Sequence, residues 1–375
     1  MDLALAPIVD RVRAAAADHT PLRIRGGGTK DFHGLALRGE VLDTRALRGI
    51  VSYEPSELVV TVRAGTPLAE LEAALAEQGQ CLPFEPPHFA RTAADAATVG
   101  GMVAAGLSGP ARASVGAVRD YLLGVTLLNG RAELLTFGGQ VMKNVAGYDV
   151  SRLMAGAWGT LGLLTEVSLK VLPVAPGEAT LRFECNQADA LRKLHAWGGQ
   201  PLPLNASCWV QDGGGVGTLT VRLRGARAAV EAACKAMGGT RLDNATVAAD
   251  WTACREQTLP WFAERSARPD DALWRLSVPA AAPVLALPQG AQPLVEWHGA
   301  LRWVQAPAAA ADALQDAARA VGGNASLFVA ARHDEQRTCG VFDLKSSALE
   351  QIHARLKRSF DPAGIFNPGR MAAGW

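Results

Sequence analysis

Two glycine-rich segments contain the residues best suited to hold a large phosphate-containing ligand. The first, Gly26-Gly27-Gly28-Thr29, directly follows the strand-like run Leu22–Arg25, and the second contains Gly100-Gly101 at the start of a predicted helix. Backbone N–H groups in such turns can converge on an anion, and a helix N-terminus adds unpaired donors and the positive end of a dipole. Because each ordered glycine loses much backbone entropy, a high glycine density is reasonable where the main chain passes close to a ligand. Together the segments predict a dinucleotide site built from two loops.

A Rossmann site is the main alternative for the first loop, and the sequence disfavours it. The third glycine of that fingerprint is missing. Asp43 does follow at the end of a strand, but Phe32–Glu40 contains Gly34 and Gly39 and is unsuited to the crossover helix of a βαβ unit. The chain also lacks the GxxxxGK[ST] pattern of phosphate loops in nucleotide hydrolases.

Local patterns place these loops among alternating strands and helices. A helix is predicted within residues 1–20, and another begins with Thr66 as N-cap and Pro67 in its first turn and runs to Gly79. The run Tyr121–Leu128 ends in Asn129-Gly130, which is a hairpin signal. Other predicted elements of this part are the strands Val41–Asp43, Leu58–Arg63 and Leu161–Val171 and the helices Thr98–Ala105 and Val150–Met154.

The composition changes after Pro173–Gly177, where we predict a domain boundary. Eight of the nine tryptophans lie from Trp197 onward, and the glycine rhythm weakens. Alternating helices and strands there predict an α+β domain with an antiparallel sheet. The predicted helices are Ala188–Trp197, Arg227–Met237 and Ala308–Val321, and the predicted strands are Ser207–Gln211, Thr218–Arg224, Leu273–Val278, Leu301–Gln305 and Ala325–Ala330. The segment Leu349–Asn367 is predicted to be a helix followed by an irregular tail.

Composition excludes several classes of protein. A chain of 375 residues suggests roughly two domains, and a formal charge of +1 argues against a general nucleic-acid binder. No apolar run reaches the ~20 residues of a membrane span, and the N-terminus shows no signal peptide. The six cysteines are far apart and form no CxxC pair, which argues against an iron–sulfur cluster or zinc ribbon in this chain and predicts no metal site.

The order of several motifs resembles that of flavoproteins of the vanillyl-alcohol-oxidase type. The motifs are Arg25-Gly26-Gly27-Gly28-Thr29, Pro86-Pro87-His88, Thr98–Ala104, Ser114–Asp120, Gly159–Val167 and the C-terminal Phe360–Arg370. The resemblance is more specific to the family of FAD-binding E subunits of bacterial glycolate oxidases, through Glu85–His88, Phe137–Asp149 and Trp297–Trp303. It implies an α+β, PCMH-type FAD-binding fold: an FAD domain over 1–175, a smaller cap with an antiparallel sheet over 176–355, and a tail over 356–375 that returns to the FAD domain.

The resemblance also implies which residues contact FAD. Gly26, Gly27, Gly28 and Thr29 would cradle the pyrophosphate, while Thr98, Gly100 and Gly101 would line the phosphate–ribityl part. Gly162 and Val167 would face the adenine through backbone groups, and Ser114 and Gly116 would lie near the flavin ring. Arg25 and Pro87 complete the predicted cofactor-binding set. Covalent members carry a histidine at the position of Thr29 or a cysteine within the range matching 90–99, so this sequence predicts noncovalent FAD.

The same resemblance implies a complex with a second flavoprotein subunit and an iron–sulfur subunit. The isolated cysteines are typical of reduced thiols in a cytosolic protein, so a cytoplasmic location is expected, with any inner-membrane association made through a partner. Oxidising a 2-hydroxy acid requires a base, a cation for the carboxylate, and flavin as hydride acceptor. The candidates are Lys143, Tyr148, His298 and Arg302, although Arg302 could equally form a salt bridge within the cap. Three roles remain open: a catalytic or electron-transferring FAD subunit of glycolate oxidase, an FAD-bearing assembly subunit, and an independent 2-hydroxy-acid or alcohol oxidase.

Overall fold

The computed structural model describes residues 3–90, 92, 96–139, 148–211, 216–332, 334 and 347–371. The strands are β1 (Leu22–Arg25), β2 (Glu40–Asp43), β3 (Ile50–Glu54), β4 (Val59–Arg63), β5 (Gln80–Cys81), β6 (Leu122–Leu128), β7 (Leu134–Gly138), β8 (Leu163–Lys170), β9 (Leu172–Pro173), β10 (Gly177–Glu184), β11 (Leu204–Gln211), β12 (Gly217–Gly225), β13 (Thr240–Leu242), β14 (Asp271–Ser277), β15 (Leu294–Glu296), β16 (Leu301–Pro307) and β17 (Asn324–Val329). The helices are α1 (Ala6–Asp18), α2 (Leu68–Glu77), α3 (Val99–Ala105), α4 (Arg112–Val115), α5 (Val118–Tyr121), α6 (Val150–Met154), α7 (Gln187–Gly198), α8 (Arg227–Met237), α9 (Asn244–Glu256), α10 (Pro260–Glu264), α11 (Ala311–Arg319) and α12 (Ser347–Phe360). The fold is α+β with antiparallel sheets, as predicted.

The chain divides into two compact units. The first comprises the described residues of Met1–Leu107, Ala117–Pro173 and Gln336–Trp375, and the second those of Ser108–Gly116 and Val174–Glu335. These ranges differ from the expected domains in two places, because 108–116 belongs to the second unit and α12 to the first. Helix α12 belongs to the first unit because Lys357, near its end, makes buried hydrogen bonds to Thr160 O and Phe366 O.

In the described part of the first unit, a five-stranded antiparallel sheet has the order β3-β4-β8-β6-β7. Strand β8 lies at its centre, and Val167 is opposite Val62 of β4 and Val125 of β6. All three side chains are buried. The hairpin expected after Leu128 is confirmed, since β6 pairs with β7. Its loop is longer than the two residues Asn129-Gly130, because β7 begins only at Leu134.

Strands β1 and β2 form a parallel pair without a crossover helix. Leu22 is opposite Glu40 and Arg25 is opposite Asp43. The connection over residues 26–39 consists of turns and irregular backbone, which agrees with the glycine-based argument against a Rossmann unit. The pair packs on α1 in a core that includes Val12, Leu22 and Leu42.

The C-terminal tail joins this parallel pair. The backbone N–H of Leu22 donates to Ile365 O at 2.7 Å, and that of Asn367 donates to Leu22 O at 2.9 Å. The buried Lys357 of α12 holds the tail in this position. Its Nζ donates to Thr160 O, Asp361 Oδ2 and Phe366 O at 2.7, 2.6 and 2.9 Å. The tail therefore lies beside β1, the strand that leads into the first glycine loop.

In the described part of the second unit, eight antiparallel strands form one sheet with the order β13-β10-β12-β11-β15-β16-β14-β17. One face packs against α7 and α8 through a core that contains Trp209, Val221, Val295, Leu194 and Val230. The opposite face carries more polar side chains. It packs against α9, where the Trp251 Nε1 donates to Thr180 Oγ1 at 3.0 Å.

Most element predictions are confirmed to within a few residues, and Arg227–Met237 and Val150–Met154 match in full. The N-cap at Thr66 is wrong: the helix begins at Leu68 with Pro67 as its cap residue. The Thr66 hydroxyl instead accepts the Gly49 N–H at 2.9 Å. Strand β10 and helix α9 were not predicted. Helix α9 buries only Val247, Trp251 and Cys254 among thirteen residues, so its apolar periodicity is weak.

Candidate functional site

A cleft in the first unit is bordered by both predicted glycine segments. The empty volume between its walls is about 930 Å³, part of it open to solvent. Its walls come from the end of β1 and the following loop, the start of α3, the segment before β8, and the tail. The predicted residues that line it are Arg25, Gly26, Gly27, Gly28, Thr29, Thr98, Gly100, Gly101 and Gly162.

Three glycines lack a side chain because other parts of the protein lie against them. A Cβ on Gly27 would overlap the carbonyl group of Ala96, and one on Gly26 would overlap the Thr98 side chain. A Cβ on Gly100 would lie 2.7 Å from Ala64 Cβ. These glycines allow the first loop, α3 and the end of β4 to meet, so their first role is to bring the cleft walls together.

Gly101 differs from its neighbours because its missing side chain leaves space in the cleft. A Cβ there would approach a described non-neighbouring atom only at Thr98 Oγ1, at 3.1 Å. Thr98 is the N-cap of α3, and its Oγ1 accepts the Gly101 N–H at 3.2 Å. Gly101 is therefore the glycine at which close approach of a ligand best explains the residue type.

The cleft walls have an excess of positive charge. Among the described residues that line it, the cations are Arg23, Arg25, Lys30 and Arg370, and Asp31 is the one acid. Asp31 is already bonded to Arg25, with Nε to Oδ2 at 2.8 Å. A cleft with glycine backbone and this charge suits a dinucleotide pyrophosphate.

The tail supplies cleft residues that the sequence did not assign to the site. Asn367 Oδ1 accepts the Ile24 N–H at 2.8 Å, and its Nδ2 donates to Trp158 O at 2.7 Å. The Arg370 guanidinium lies 5.1 Å from the centre of the Trp158 ring and donates to Lys30 O at 2.6 Å. The expected return of the tail was the available signal, but it did not identify these side chains.

The structure does not bring every predicted cofactor residue to the cleft wall. Pro87 is buried and Val167 lies in the middle of the sheet without exposed surface. Ser114 and Gly116 belong to the second unit. Among the catalytic candidates, Lys143 lies outside the described residues, and Tyr148 is 97% exposed.

His298, the third catalytic candidate, is held by two serines in the second unit. Its Nε2 lies 2.8 Å from Ser114 Oγ, and its Nδ1 lies 3.1 Å from Ser207 Oγ. Burial lowers the pKa of His298 to about 4, so the imidazole is neutral near pH 7. A tautomer with a proton on Nδ1 leaves Nε2 free to accept a proton from a hydroxyl.

Replacing His298 with glutamine is expected to make folding less sensitive to acid. The folded pKa is about 4 and the ordinary value is 6.5, so the unfolded chain takes up the proton first as pH falls. Protonation of His298 in the unfolded chain therefore lowers the free energy of unfolding by up to about 3 kcal/mol as the pH falls from 6.5 to 4. Urea unfolding of both chains at these two pH values measures the effect. An equal loss in wild type and variant would contradict it.

Arg302, the fourth candidate, lies on the face of the sheet that packs against α7 and α8. It is opposite Leu276 and Val295, and residues opposite each other in antiparallel strands share a face. Its side chain is fully buried and donates to the carbonyl oxygens of Gly299 and, at 3.4 Å, Ala282. In the part of the chain that the structure describes, Arg302 has no carboxylate partner, so the salt-bridged alternative is not observed there.

The other face of the same strands carries polar groups that sequence reasoning missed. Arg275 is opposite Trp303, and Glu296 lies on the same face two positions from Leu294. The buried Glu296 accepts the Cys254 thiol at 2.8 Å and the Trp303 N–H. Burial raises the pKa of Glu296. Apolar residues flank Arg275 and Arg302 alike, so the sequence pattern did not distinguish them.

Neither a metal cluster nor a membrane-crossing helix occurs in the described ranges. No group of three or more His, Cys, Asp or Glu side chains there is arranged to hold a metal ion. No helix among those residues is long and apolar enough to cross a membrane.

Comparisons of the sequence with known proteins agree with an FAD-binding domain. Residues 6–138 match the family model described as "FAD binding domain". The chain is 43% identical over 366 residues to "Glycolate oxidase subunit GlcE" of Escherichia coli (strain K12), covering 98% of this chain and 97% of that protein. It is 28% identical to "Glycolate oxidase subunit GlcD" of Bacillus subtilis (strain 168), over 48% of this chain and 38% of that protein.

A solved structure shows the same fold at low sequence identity. The crystal structure of p-cresol methylhydroxylase with substrate bound has a TM-score of 0.68 and 15% identity, and covers 97% of this chain and 87% of that chain.

Proposed function

This chain belongs to the family of glycolate oxidase GlcE subunits and is an FAD-binding oxidoreductase of the PCMH-type fold, and we propose that it is the FAD subunit of a multisubunit glycolate oxidase. In this proposal glycolate is oxidised to glyoxylate, and electrons leave through an iron–sulfur partner. A second flavoprotein subunit completes the complex, and any association with the inner membrane is made through a partner.

The observation that carries the proposal is the cationic cleft between the two glycine segments. Gly26–Gly28 and Thr29 would hold the pyrophosphate with their N–H groups, and Gly101 leaves room for the ligand at the start of α3. Arg23, Arg25 and Lys30 would balance its charge. When bound, the isoalloxazine of FAD supplies a hydride acceptor.

FAD binding is proposed to be noncovalent. Thr29 occupies the position of the tethering histidine, and no cysteine occurs within residues 90–99. The Thr29 hydroxyl accepts a hydrogen bond from Lys30 Nζ at 3.1 Å. FAD should therefore leave the protein completely on acid precipitation.

The residue proposed to take the hydroxyl proton of the substrate is His298. A general base must be unprotonated at the working pH and within hydrogen-bond reach of a hydroxyl. The lowered pKa of His298 supports the first requirement, and the contact of its Nε2 with the Ser114 hydroxyl supports the second.

The proposal is tested by the visible flavin absorbance of the purified, FAD-loaded chain under anaerobic glycolate. Loss of the oxidised-flavin band in this chain alone, or after addition of both partner subunits, is the expected result. A band that never bleaches in this subunit, although the complex oxidises glycolate, would overturn the catalytic role and leave an FAD-bearing assembly role. Turnover of the lone chain with oxygen would indicate an independent oxidase.

A further inference from the structure

Two arginines of the second unit meet on one tryptophan. The guanidinium carbon of Arg112 lies 4.4 Å from the centre of the Trp297 ring, and that of Arg275 lies 5.1 Å from it. Trp297 is itself fixed, since its Nε1 donates to Gly109 O at 3.0 Å. Two like charges near one ring repel each other, and an anion in contact with both guanidinium groups would be attracted by each of them.

The side chain of Arg275 is half-buried and has no carboxylate or other hydrogen-bond acceptor among the described residues. Glu296 is the nearby acid, but its oxygens are already bonded to the Cys254 thiol and the Trp303 N–H. Burial, and then the neighbouring Arg112, lower the pKa of Arg275 to about 10, so it remains a cation near neutral pH. Its planar donor fork is therefore charged and available to a ligand.

Groups suited to a hydroxyl lie next to this pair along the chain. Ser114 follows Arg112 on α4, and His298 follows Trp297, and their side chains are bonded at 2.8 Å. Trp297 and His298 both have positive φ angles, of 53° and 54°. Two consecutive non-glycine residues in this region are strained, and such strain is concentrated at functional sites.

We propose that Arg275 and Arg112, on Trp297, form an anion-binding subsite that takes the carboxylate of a small hydroxy acid, with Ser114 and His298 beside its hydroxyl. The choice of glycolate as the acid rests on the proposed function, whereas the anion site itself does not. Arg302 is not part of this subsite, because it lies on the opposite face of the sheet from Arg275 and its guanidinium already donates to the carbonyl oxygens of Gly299 and Ala282.

The subsite is tested by calorimetric titration of the FAD-loaded, full-length protein with oxalate, a carboxylate that cannot lose a hydride. Arg275→Met is expected to raise the oxalate Kd at least about tenfold, as loss of a charged hydrogen-bonding partner does. Arg275→Lys keeps the charge but loses the planar fork, and it should give an intermediate Kd. Arg241→Met removes an exposed arginine paired with Glu231 and is the matched control, with an unchanged Kd.

The outcomes separate this inference from the proposed function. If Arg275→Met folds with the wild-type melting temperature but binds oxalate as tightly as wild type, the subsite is refuted, whether or not glycolate reduces the flavin. If Arg275→Met fails to fold, Arg275→Lys and Arg112→Lys provide the same comparison. If oxalate binds through Arg275 but glycolate never bleaches the flavin, the subsite stands and the catalytic proposal fails. Tighter binding of inorganic phosphate than of oxalate would overturn the assignment to a carboxylate.

Discussion

Replacing Lys357 with methionine is expected to lower the free energy of unfolding by about 3–5 kcal/mol, because it removes one partner of a buried ion pair. The Lys357 ammonium and the Asp361 carboxylate are 6% and 0% exposed. Lys357 also donates to the carbonyl oxygens of Thr160 and Phe366, which belong to segments that meet at the cleft. Methionine fills much of the same space but leaves Asp361 as an uncompensated buried charge. Urea unfolding of the apoprotein and of the FAD-loaded protein measures the loss.

Two controls show whether the buried charge is the cause. Lys357→Met combined with Asp361→Asn should recover part of the loss, because the amide is neutral and its one oxygen can still accept one of the two N–H groups, of Ile365 and Phe366, that Asp361 now accepts on its two oxygens. Arg241→Met breaks an exposed bidentate pair with Glu231 and should cost no more than about 1 kcal/mol. If Lys357→Met lowered the free energy of unfolding as little as Arg241→Met does, the Lys357 hydrogen bonds would not hold α12 and the tail to the first unit as described.

Replacing Gly101 with leucine is expected to weaken FAD binding roughly 10- to 100-fold while leaving the apoprotein close to wild type in stability, because the higher helix propensity of leucine offsets the tight contact of its Cβ with Thr98 Oγ1. Leucine is a better helix former than glycine, which favours α3. Its side chain would enter the cleft beside Thr98, where the structure leaves space. Overpacking of this kind costs about 1–3 kcal/mol when a ligand needs the same volume. Fluorescence titration of the apoprotein with FAD gives the Kd, and thermal unfolding gives the stability.

Gly198→Leu is the matched control for this variant. Gly198 is also helical, in α7 of the second unit, and a Cβ added to it would have no described non-neighbouring atom within 4 Å. It should bind FAD with the wild-type Kd. Wild-type FAD affinity in Gly101→Leu would place the ligand away from α3 and contradict the site assignment.

Gly27→Ala would give a less informative result than Gly101→Leu. Its Cβ would overlap the Ala96 carbonyl, so the first loop would have to move even without ligand. Loss of FAD in that variant would not distinguish a damaged loop from a blocked site. Comparing Gly27→Ala with Gly101→Leu therefore distinguishes a glycine that lets the cleft walls meet from the glycine that a ligand would approach.

The sequence by itself determined most of the elements and the two glycine loops. Turn chemistry and apolar periodicity are local, so Leu22–Arg25, Thr98–Ala105 and the hairpin after Leu128 could be predicted from neighbouring residues alone. The FAD-binding fold followed from the order of the motifs. The pattern also disfavoured a crossover helix between β1 and β2, and the structure has none there.

Only the tertiary structure decided which residues meet across long distances in the chain. Gly27 lies against Ala96, and Lys357 against Thr160, through contacts that no local pattern encodes. Strand β16 is buried on both faces, so the alternation of polar and apolar residues could not show that Arg302 faces α7 and α8. The strand register places Arg275 on the other face, and a shift of one residue would exchange the two faces. Local physics therefore specified the two glycine loops, whereas register and packing specified on which face of the sheet each arginine lies.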